Sequence, residues 1–169
     1  LSELIKYSQD KEKYTDFIDK FGIPIKEGLY QDHDNREDLL ELVRFKSTTE
    51  DGYVSLSEYC ARMKADQKNI YYITGDNEAN LKNSPLLEMY TDKDIEVLIM
   101  DQDIDEFVIP SINKYKEHDL KSVNFSDAAD DLQTDEDKNE ETTLKPLIKK
   151  MKKVLGEQVK DIKASSRLK

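Results

Sequence analysis

Apolar residues in the first third of the chain recur at the spacing of amphipathic helices. Between Asp10 and Phe21 the large apolar side chains fall three and four residues apart, so they share one helical face. Gly22 followed by Pro24 predicts that this helix ends and that the chain bends there. The stretch that follows holds the next predicted helix, and we therefore expect residues 1–52 to form a helical segment.

Two capping boxes are predicted from short-range spacing. Asp34 precedes Glu37 by three residues, and Ser55 precedes Glu58 by three, so each pair can satisfy two backbone N–H groups at a helix start. Each box is followed by apolar residues at helical spacing. The sequence therefore predicts helices that open at these two positions.

After residue 53 the pattern alternates between helix and strand. Residues 70–74 are β-branched or aromatic, and residues 95–100 are almost continuously apolar, which is typical of a parallel strand covered on both faces. A third, shorter strand is predicted near residues 120–125. Strands separated by helices predict a small three-stranded parallel sheet with helices on its faces, an α/β/α sandwich over residues 53–125.

The helix predicted after the second strand contains an awkward proline. Its apolar positions are Ile104, Phe107, Val108, Ile112 and Tyr115. Pro110 inside it would delete a backbone hydrogen bond and clash with the preceding turn, at a cost of about 3 kcal/mol. We therefore expect a kink there, or two short helices.

The last third changes character twice. Residues 126–141 are acidic and nearly free of large apolar side chains, which predicts a flexible linker. Residues 142–169 are basic, with an apolar helical stripe that Gly156 ends and a strand predicted over 159–164. One helix and one strand do not make a core, so this piece is expected to be truncated.

Composition excludes some function classes. The net charge is -11, which disfavours a nucleic-acid-binding protein. No apolar run approaches the roughly 20 residues of a membrane helix, so no membrane partner is expected. One cysteine, Cys60, and two separated histidines form no recurring metal motif. The chain begins at Leu1 without a signal sequence, and we expect it to be an internal fragment.

Candidate chemistry is confined to the strand ends. Asp76 follows the first strand, and Asp101, Asp103 and Asp105 follow the second, where ligands of open α/β sheets bind. Such carboxylates can hold Mg²⁺ in a metal or phosphoryl site. The other interpretation is that Asp76 and Asp101 or Asp103 are helix N-caps. A lone Gly75 does not make a phosphate-binding loop, so a binding or mechanical module is favoured over an enzyme.

Several runs resemble the HtpG family of ninety-kilodalton heat-shock chaperones, in the order in which the family has them. The run VSLSEYCARMKADQKNIYYITG, residues 54–75, is similar to the family's most recognisable middle-domain stretch. Before it stand the Asn35-Arg36-Glu37 run and the RFKST run at 44–48, and after it come Ile104-Asp105-Glu106 and the LKSV run at 120–123. The similarity extends over nearly the whole chain outside the acidic linker.

The resemblance implies a homodimeric, ATP-driven chaperone of the cytoplasm that binds partly folded client proteins. This chain would hold the late middle domain and, from residue 142, the start of the C-terminal domain. The nucleotide site would lie before Leu1 and the dimerising helices after Lys169, so the fragment alone is expected to be monomeric and to carry no catalytic residue or cofactor. ATP and Mg²⁺ are expected only for the full-length protein.

One functional pair can be carried over from the family. Its acidic-aromatic pair after the second strand, implicated in client contact, matches Glu106 and Phe107. Phe107 stands where tryptophan or tyrosine is more usual, and Pro110 and the Asp101-Gln102-Asp103 link also depart from the family pattern, as does Asp94 in place of a usual glycine. The sequence leaves open whether Phe107 is an exposed contact residue or part of the core.

Overall fold

The architecture was obtained from a computed structural model, which describes residues 1–125, 132, 135–156, 159 and 162, with the backbone alone over 135–142. Two short 3-10 turns, Pro85–Leu87 and Ile109–Ser111, accompany the regular elements. The helices are α1 (Ser2–Tyr7), α2 (Lys11–Gln31), α3 (Arg36–Leu42), α4 (Leu56–Arg62), α5 (Glu78–Lys82), α6 (Glu88–Asp92), α7 (Asp103–Val108) and α8 (Asp135–Leu155). The strands are β1 (Lys46–Ser47), β2 (Ile70–Thr74), β3 (Val97–Met100), β4 (Lys114–Tyr115) and β5 (His118–Ser122).

The strands form one sheet in the order β1-β3-β2-β5-β4. Its centre is the predicted parallel sheet: β2 pairs with β3 on one side and with β5 on the other, both in parallel. Short edge strands extend it, since β1 pairs with β3 and β4 pairs with β5, both antiparallel. The predicted α/β class and its three parallel strands are confirmed, and the antiparallel edges were not predicted.

Helices cover both faces of the sheet. Along β3, Leu98 and Met100 belong to one core with residues of α2, α3, α4 and α7. Val97 and Ile99 point to the opposite core, which α5, α6 and the turn before α6 complete. Successive side chains of a strand alternate between faces, so a strand buried on both faces must be apolar throughout. This explains the nearly continuous apolar run that the sequence contains.

The prediction that the first helix ends at Gly22 is wrong, because α2 runs on to Gln31. Gly22 is buried, and a Cβ atom built there would lie 3.3 Å from Ile18 Cγ2, so glycine suits a crowded point of the helix. Pro24 lies on the exposed side, where water can reach the backbone carbonyl that loses its helical partner. Tertiary packing therefore overrides both helix-ending signals.

Of the two predicted capping boxes, one is confirmed. Ser55 Oγ accepts from the Glu58 N–H at 3.1 Å, and the Glu58 carboxylate accepts from the Ser55 N–H at 2.9 Å. The Asp34 box is wrong: α3 has Asn35 as its N-cap, with no side-chain cap bond. The loop is held instead by Asp32, which accepts from the Asn35 N–H at 3.2 Å.

Beyond α7 the chain returns to the sheet earlier than predicted. A 3-10 turn with Pro110 directly follows α7, which confirms the expected break of the helix into two short pieces. Tyr115 was placed on the predicted helix, but it lies in β4. Its hydroxyl donates to Glu41 Oε1 at 2.6 Å, so this end of the sheet is tied to α3.

Part of the predicted C-terminal organisation lies outside the described residues. Helix α8 begins at Asp135, inside the stretch predicted as a linker, and includes Pro146. The strand predicted over 159–164 falls mostly on residues that are not described. Within the described part of the chain, no helix has the length and apolar character needed to cross a membrane.

Candidate functional site

Helix α7 carries the residue pair predicted to contact clients. It follows β3 directly, and its first turn is closed by the Asp105 N–H, which donates to the Gln102 carbonyl at 2.8 Å. In return the Gln102 N–H donates to Asp105 Oδ2 at 3.3 Å. Asp105 thus satisfies a backbone donor that the helix start would otherwise leave free.

The two sides of α7 have different surroundings. Val108 is buried, and Ile104 packs partly buried against the core on the side of α2 and α4. Phe107 is 72% exposed, and its neighbour Glu106 is also exposed. The side-chain orientation agrees with the exposed alternative for Phe107, whereas its part in client binding stays a prediction.

The inner side of α7 is held to α2 by a buried ion pair. Lys26 Nζ lies 2.6 Å from Asp105 Oδ1, and the two side chains are 6% and 1% exposed. The same ammonium donates to Gln102 Oε1 at 2.8 Å and lies 4.8 Å from the centroid of the Phe45 ring. Three groups from two separate parts of the chain, the start of α7 and the residue before β1, therefore converge on Lys26.

Burial opposes both charges of this pair. It lowers the pKa of the Lys26 ammonium, and the attraction of Asp105 offsets only part of that effect. It raises the pKa of the Asp105 carboxyl, again against the opposing attraction of Lys26. Desolvation disfavours the charged form of each group. The pair therefore has a well-defined geometry, but its burial lowers the stability of the folded protein.

A second lysine occupies the neighbouring strand end. Lys46 Nζ lies 2.7 Å from Asp101 Oδ2 and 2.9 Å from Glu78 Oε2. Although its partial burial acts to lower it, the pKa of Lys46 is raised by these two carboxylates. The pKa of Glu78 is lowered by hydrogen bonds from Lys46 and Lys82. These contacts tie β1, α5 and the end of β3 together.

The alternative prediction of a metal or phosphoryl site finds no open carboxylate cluster. Asp101 and Asp105 are paired with lysines, and Asp76 and Asp103 are exposed. Within the described residues no group of three or more His, Cys, Asp or Glu side chains is placed to hold a metal ion. Two of the four predicted carboxylates, Asp101 and Asp105, are therefore used in ion pairs of the fold.

The helix-cap interpretation of these aspartates is also corrected. Asn77, not Asp76, is the N-cap of α5, and its side chain accepts from the Asn80 N–H at 3.2 Å. Gln102, not Asp101 or Asp103, is the N-cap of α7. Each cap lies one residue away from a predicted aspartate.

The sequence pattern did not predict a role for Lys26 or Lys46. For Lys26 a signal was available, because on a helix it shares a face with Gly22 and Leu29, which are both buried. A lysine on an apolar face either extends its ammonium to solvent or requires a buried partner. The partner lies 79 positions further along the chain, beyond the reach of any local pattern.

Further side chains with possible chemistry lie in structural contacts or in solvent. Cys60 is half-buried, and burial raises the pKa of its thiol, which disfavours the reactive thiolate. Arg44 lies 4.7 Å from the centroid of the Tyr14 ring, and its Nη1 donates to the carbonyls of Glu41 and Val43. His118 Nδ1 lies 2.9 Å from the Lys68 carbonyl, and His33 is exposed.

Comparisons with known proteins agree with the fold. A family model described as Hsp90 protein matches residues 1–169. The chain is 48% identical to a Treponema denticola protein named chaperone protein HtpG, over 99% of this chain and 28% of that protein. A protein of the same name from Aliarcobacter butzleri is 46% identical over 99% of this chain and 27% of its own length. The chain thus spans little more than a quarter of these relatives.

A solved structure is similar over most of the described fold. The middle domain of a Plasmodium falciparum heat shock protein superposes with a TM-score of 0.66 at 38% sequence identity, covering 70% of this chain and 50% of that one. The sequence resemblance is therefore supported by independent matches in sequence and in structure. Because the family model extends over every residue and the relatives share almost half of them, the chain belongs to the Hsp90 family.

Proposed function

We propose that this chain is a fragment of an ATP-dependent molecular chaperone that binds and remodels partly folded client proteins. Support comes from the match to HtpG relatives and to an Hsp90 middle domain, both over most of the chain. The fragment supplies the structural frame and a client contact, without the ATP site. The parent protein is a cytoplasmic homodimer that uses ATP and Mg²⁺, whereas the fragment alone is monomeric.

The observation that carries the client contact is the exposure of Phe107. An aromatic ring that is 72% exposed beside an exposed carboxylate is poorly placed to stabilise the fold. It offers a large, rigid contact to an unfolded chain at little loss of conformational entropy. Glu106 adds a charge that can attract basic segments of a client.

The test is client affinity measured by fluorescence anisotropy. The probe is fluorescein-labelled, reduced and carboxymethylated lactalbumin, which stays unfolded. Replacing Phe107 by alanine is expected to weaken binding about tenfold, or roughly 1.4 kcal/mol, because the ring supplies much of the contact. Phe125 is 67% exposed and follows β5, outside α7, so Phe125→Ala is a matched control.

The two variants separate a specific site from general stickiness. The affinity of Phe125→Ala for the labelled lactalbumin is expected to be close to that of the unsubstituted chain. Equal losses for both variants would indicate nonspecific adhesion to exposed rings, and an unchanged affinity for Phe107→Ala would remove the proposed site.

A further inference from the structure

The Lys26–Asp105 pair is unusual in the cost of its position. Both side chains are nearly inaccessible to water, and the pair joins the longest helix of the first segment to the short helix that presents Phe107. Two buried charges regain in mutual attraction little more than they lose in hydration. Replacing a buried ion pair by apolar side chains of similar size is often neutral or stabilising.

Compared with apolar packing, the ion pair restricts the orientation of α7 more strongly. The Asp105 carboxylate pairs with the Lys26 ammonium through Oδ1 at 2.6 Å, and its Oδ2 accepts from the Gln102 N–H at 3.3 Å. Lys26 also donates to the side chain of Gln102. The first turn of α7 is therefore tied to α2 at two points, and a close ion pair with a hydrogen bond beside it tolerates less rotation than contacts between methyl groups do.

The constraint on Asp105 determines where Phe107 points. Successive helical residues are turned by about 100°, so two residues further on the side chain lies about 200° away, nearly opposite. With Asp105 held against α2, Phe107 must face outward, as its exposure shows. A rotation of α7 by one residue would carry Phe107 about 100° toward the body of the protein.

The other contacts that hold this helix are mostly apolar. Helix α7 has six residues, and the 3-10 turn with Pro110 directly follows it. Val108 and Ile109 anchor its C-terminal end in the core, but apolar side chains can repack with small rotations. At the N-terminal end Ile104 packs partly buried against the core, and Asp105 supplies the polar contacts.

We infer that Lys26 and Asp105 are positioning residues that set the pose in which α7 presents Glu106 and Phe107 to a bound chain. The link to binding rests on the client contact proposed above, whereas the pose of α7 can be measured by itself. The pair acts through Phe107 and makes no contact with the client.

The decisive variant removes both charges together. In Lys26→Met/Asp105→Asn the side-chain volumes are nearly conserved, and the asparagine oxygen can still accept from the Gln102 N–H. Its amide group can donate to Gln102 Oε1, which loses its partner when Lys26 is replaced. Lys46→Met/Asp101→Asn is the matched control, since it removes a 2.7 Å pair at the same sheet edge that does not join α2 to α7.

The pose is read directly by fluorescence. The chain has no tryptophan, so Phe107→Trp introduces a single indole at the position of interest. In the Phe107→Trp background, acrylamide quenching is expected to fall at least twofold in Lys26→Met/Asp105→Asn, because the released helix turns the indole toward the protein. The control pair should leave quenching unchanged. Unchanged quenching in the folded paired variant would overturn the inference.

Client affinity then shows whether the pose matters. With the labelled lactalbumin probe, Lys26→Met/Asp105→Asn is expected to bind at least fivefold more weakly while its cooperative unfolding transition is retained. The same replacement in a Phe107→Ala background should cause no further loss, since the pair acts only through that ring. An equal loss in both backgrounds would contradict positioning and indicate a general structural effect.

Different results would contradict the client contact at Phe107 and the positioning role of Lys26 and Asp105. If Phe107→Ala alone leaves affinity unchanged, the proposed client contact fails, and the quenching experiment still decides the positioning inference. If the paired variant does not fold, Asp105→Asn with Lys26 retained is measured in the same two assays. A reduced quenching supports the inference there, and quenching equal to the parent chain overturns it.

Discussion

The guanidinium of Arg62 forms two parallel hydrogen bonds to the carboxylate of Glu96. Arg62 Nε donates to Glu96 Oε2 at 2.9 Å and Nη2 donates to Oε1 at 2.8 Å. Ser47 Oγ adds a third bond to Oε1 at 2.6 Å. Glu96 directly precedes β3 and is buried, so this contact satisfies a charge at the entrance to the central sheet.

Loss of the contact between Arg62 and Glu96 is expected to destabilise the fold. Arg62→Met leaves Glu96 buried with Ser47 as its remaining donor, and we expect a loss of about 2 to 3 kcal/mol in the free energy of unfolding. Arg62→Lys keeps the charge but not the two-pronged geometry, so about half of that loss is expected. Urea denaturation measures both. A loss below about 0.5 kcal/mol for Arg62→Met would show that Glu96 finds water instead.

Asp94 adopts a backbone conformation that favours glycine. Its φ is 47°, in the left-handed region, and its side chain is exposed. Asp94→Gly is expected to stabilise the protein by up to about 1 kcal/mol, because it relieves backbone strain. Asp94→Val should destabilise it, since a β-branched residue fits this region poorly. As a control, Asp92→Gly within α6 should lower the thermal midpoint.

Local signals predicted the parts of the fold that depend on neighbours in sequence. Residues a few positions apart determine the capping box of Ser55 and Glu58, the central strands β2 and β3, and the break at Pro110. Where tertiary packing decides, the predictions were wrong: Gly22 sits inside a continuous helix. For the site, the outward position of Phe107 depends on Asp105 and on Lys26, which lies 79 positions away, and no local spacing encodes that partnership.

The buried pair of Lys26 and Asp105 should change how the free energy of unfolding depends on pH. Asp105 has a raised pKa in the folded state, so the folded protein binds the extra proton and stability falls as pH rises through that range. Lys26 has a lowered pKa, so the unfolded chain holds more protons in the alkaline range and stability rises there with pH. The contribution of the pair to stability is therefore lowest near neutral pH.

Lys26→Met/Asp105→Asn tests this dependence by comparison with the parent chain. The free energy of unfolding of the variant relative to the parent should be most favourable near pH 7 and should decline toward both acid and alkaline pH. Lys26→Met alone leaves Asp105 unpaired and should cost about 3 to 5 kcal/mol at neutral pH. Denaturant titrations at a series of pH values measure these differences. A difference that does not vary with pH would contradict the assigned pKa directions.

Phe107 and Val108 are neighbours in sequence with opposite expected roles. Val108 is 1% exposed and packs in the core, so Val108→Ala removes two buried methyl groups and leaves a cavity. We expect this substitution to lower the free energy of unfolding by about 2 kcal/mol, the sum of lost burial and imperfect collapse around the gap. Phe107→Ala removes a ring that is mostly in water, and less than about 1 kcal/mol is expected.

Client affinity should show the reverse order. Under conditions in which both variants are folded, Val108→Ala should bind the unfolded lactalbumin probe nearly as well as the parent chain, because the ring of Phe107 remains in place. Phe107→Ala should bind it about tenfold more weakly. Urea denaturation and anisotropy on the same preparations give both quantities. If Phe107→Ala were to unfold the protein as readily as Val108→Ala, the ring would be serving the core, and the outward face of α7 would have to be assigned another purpose.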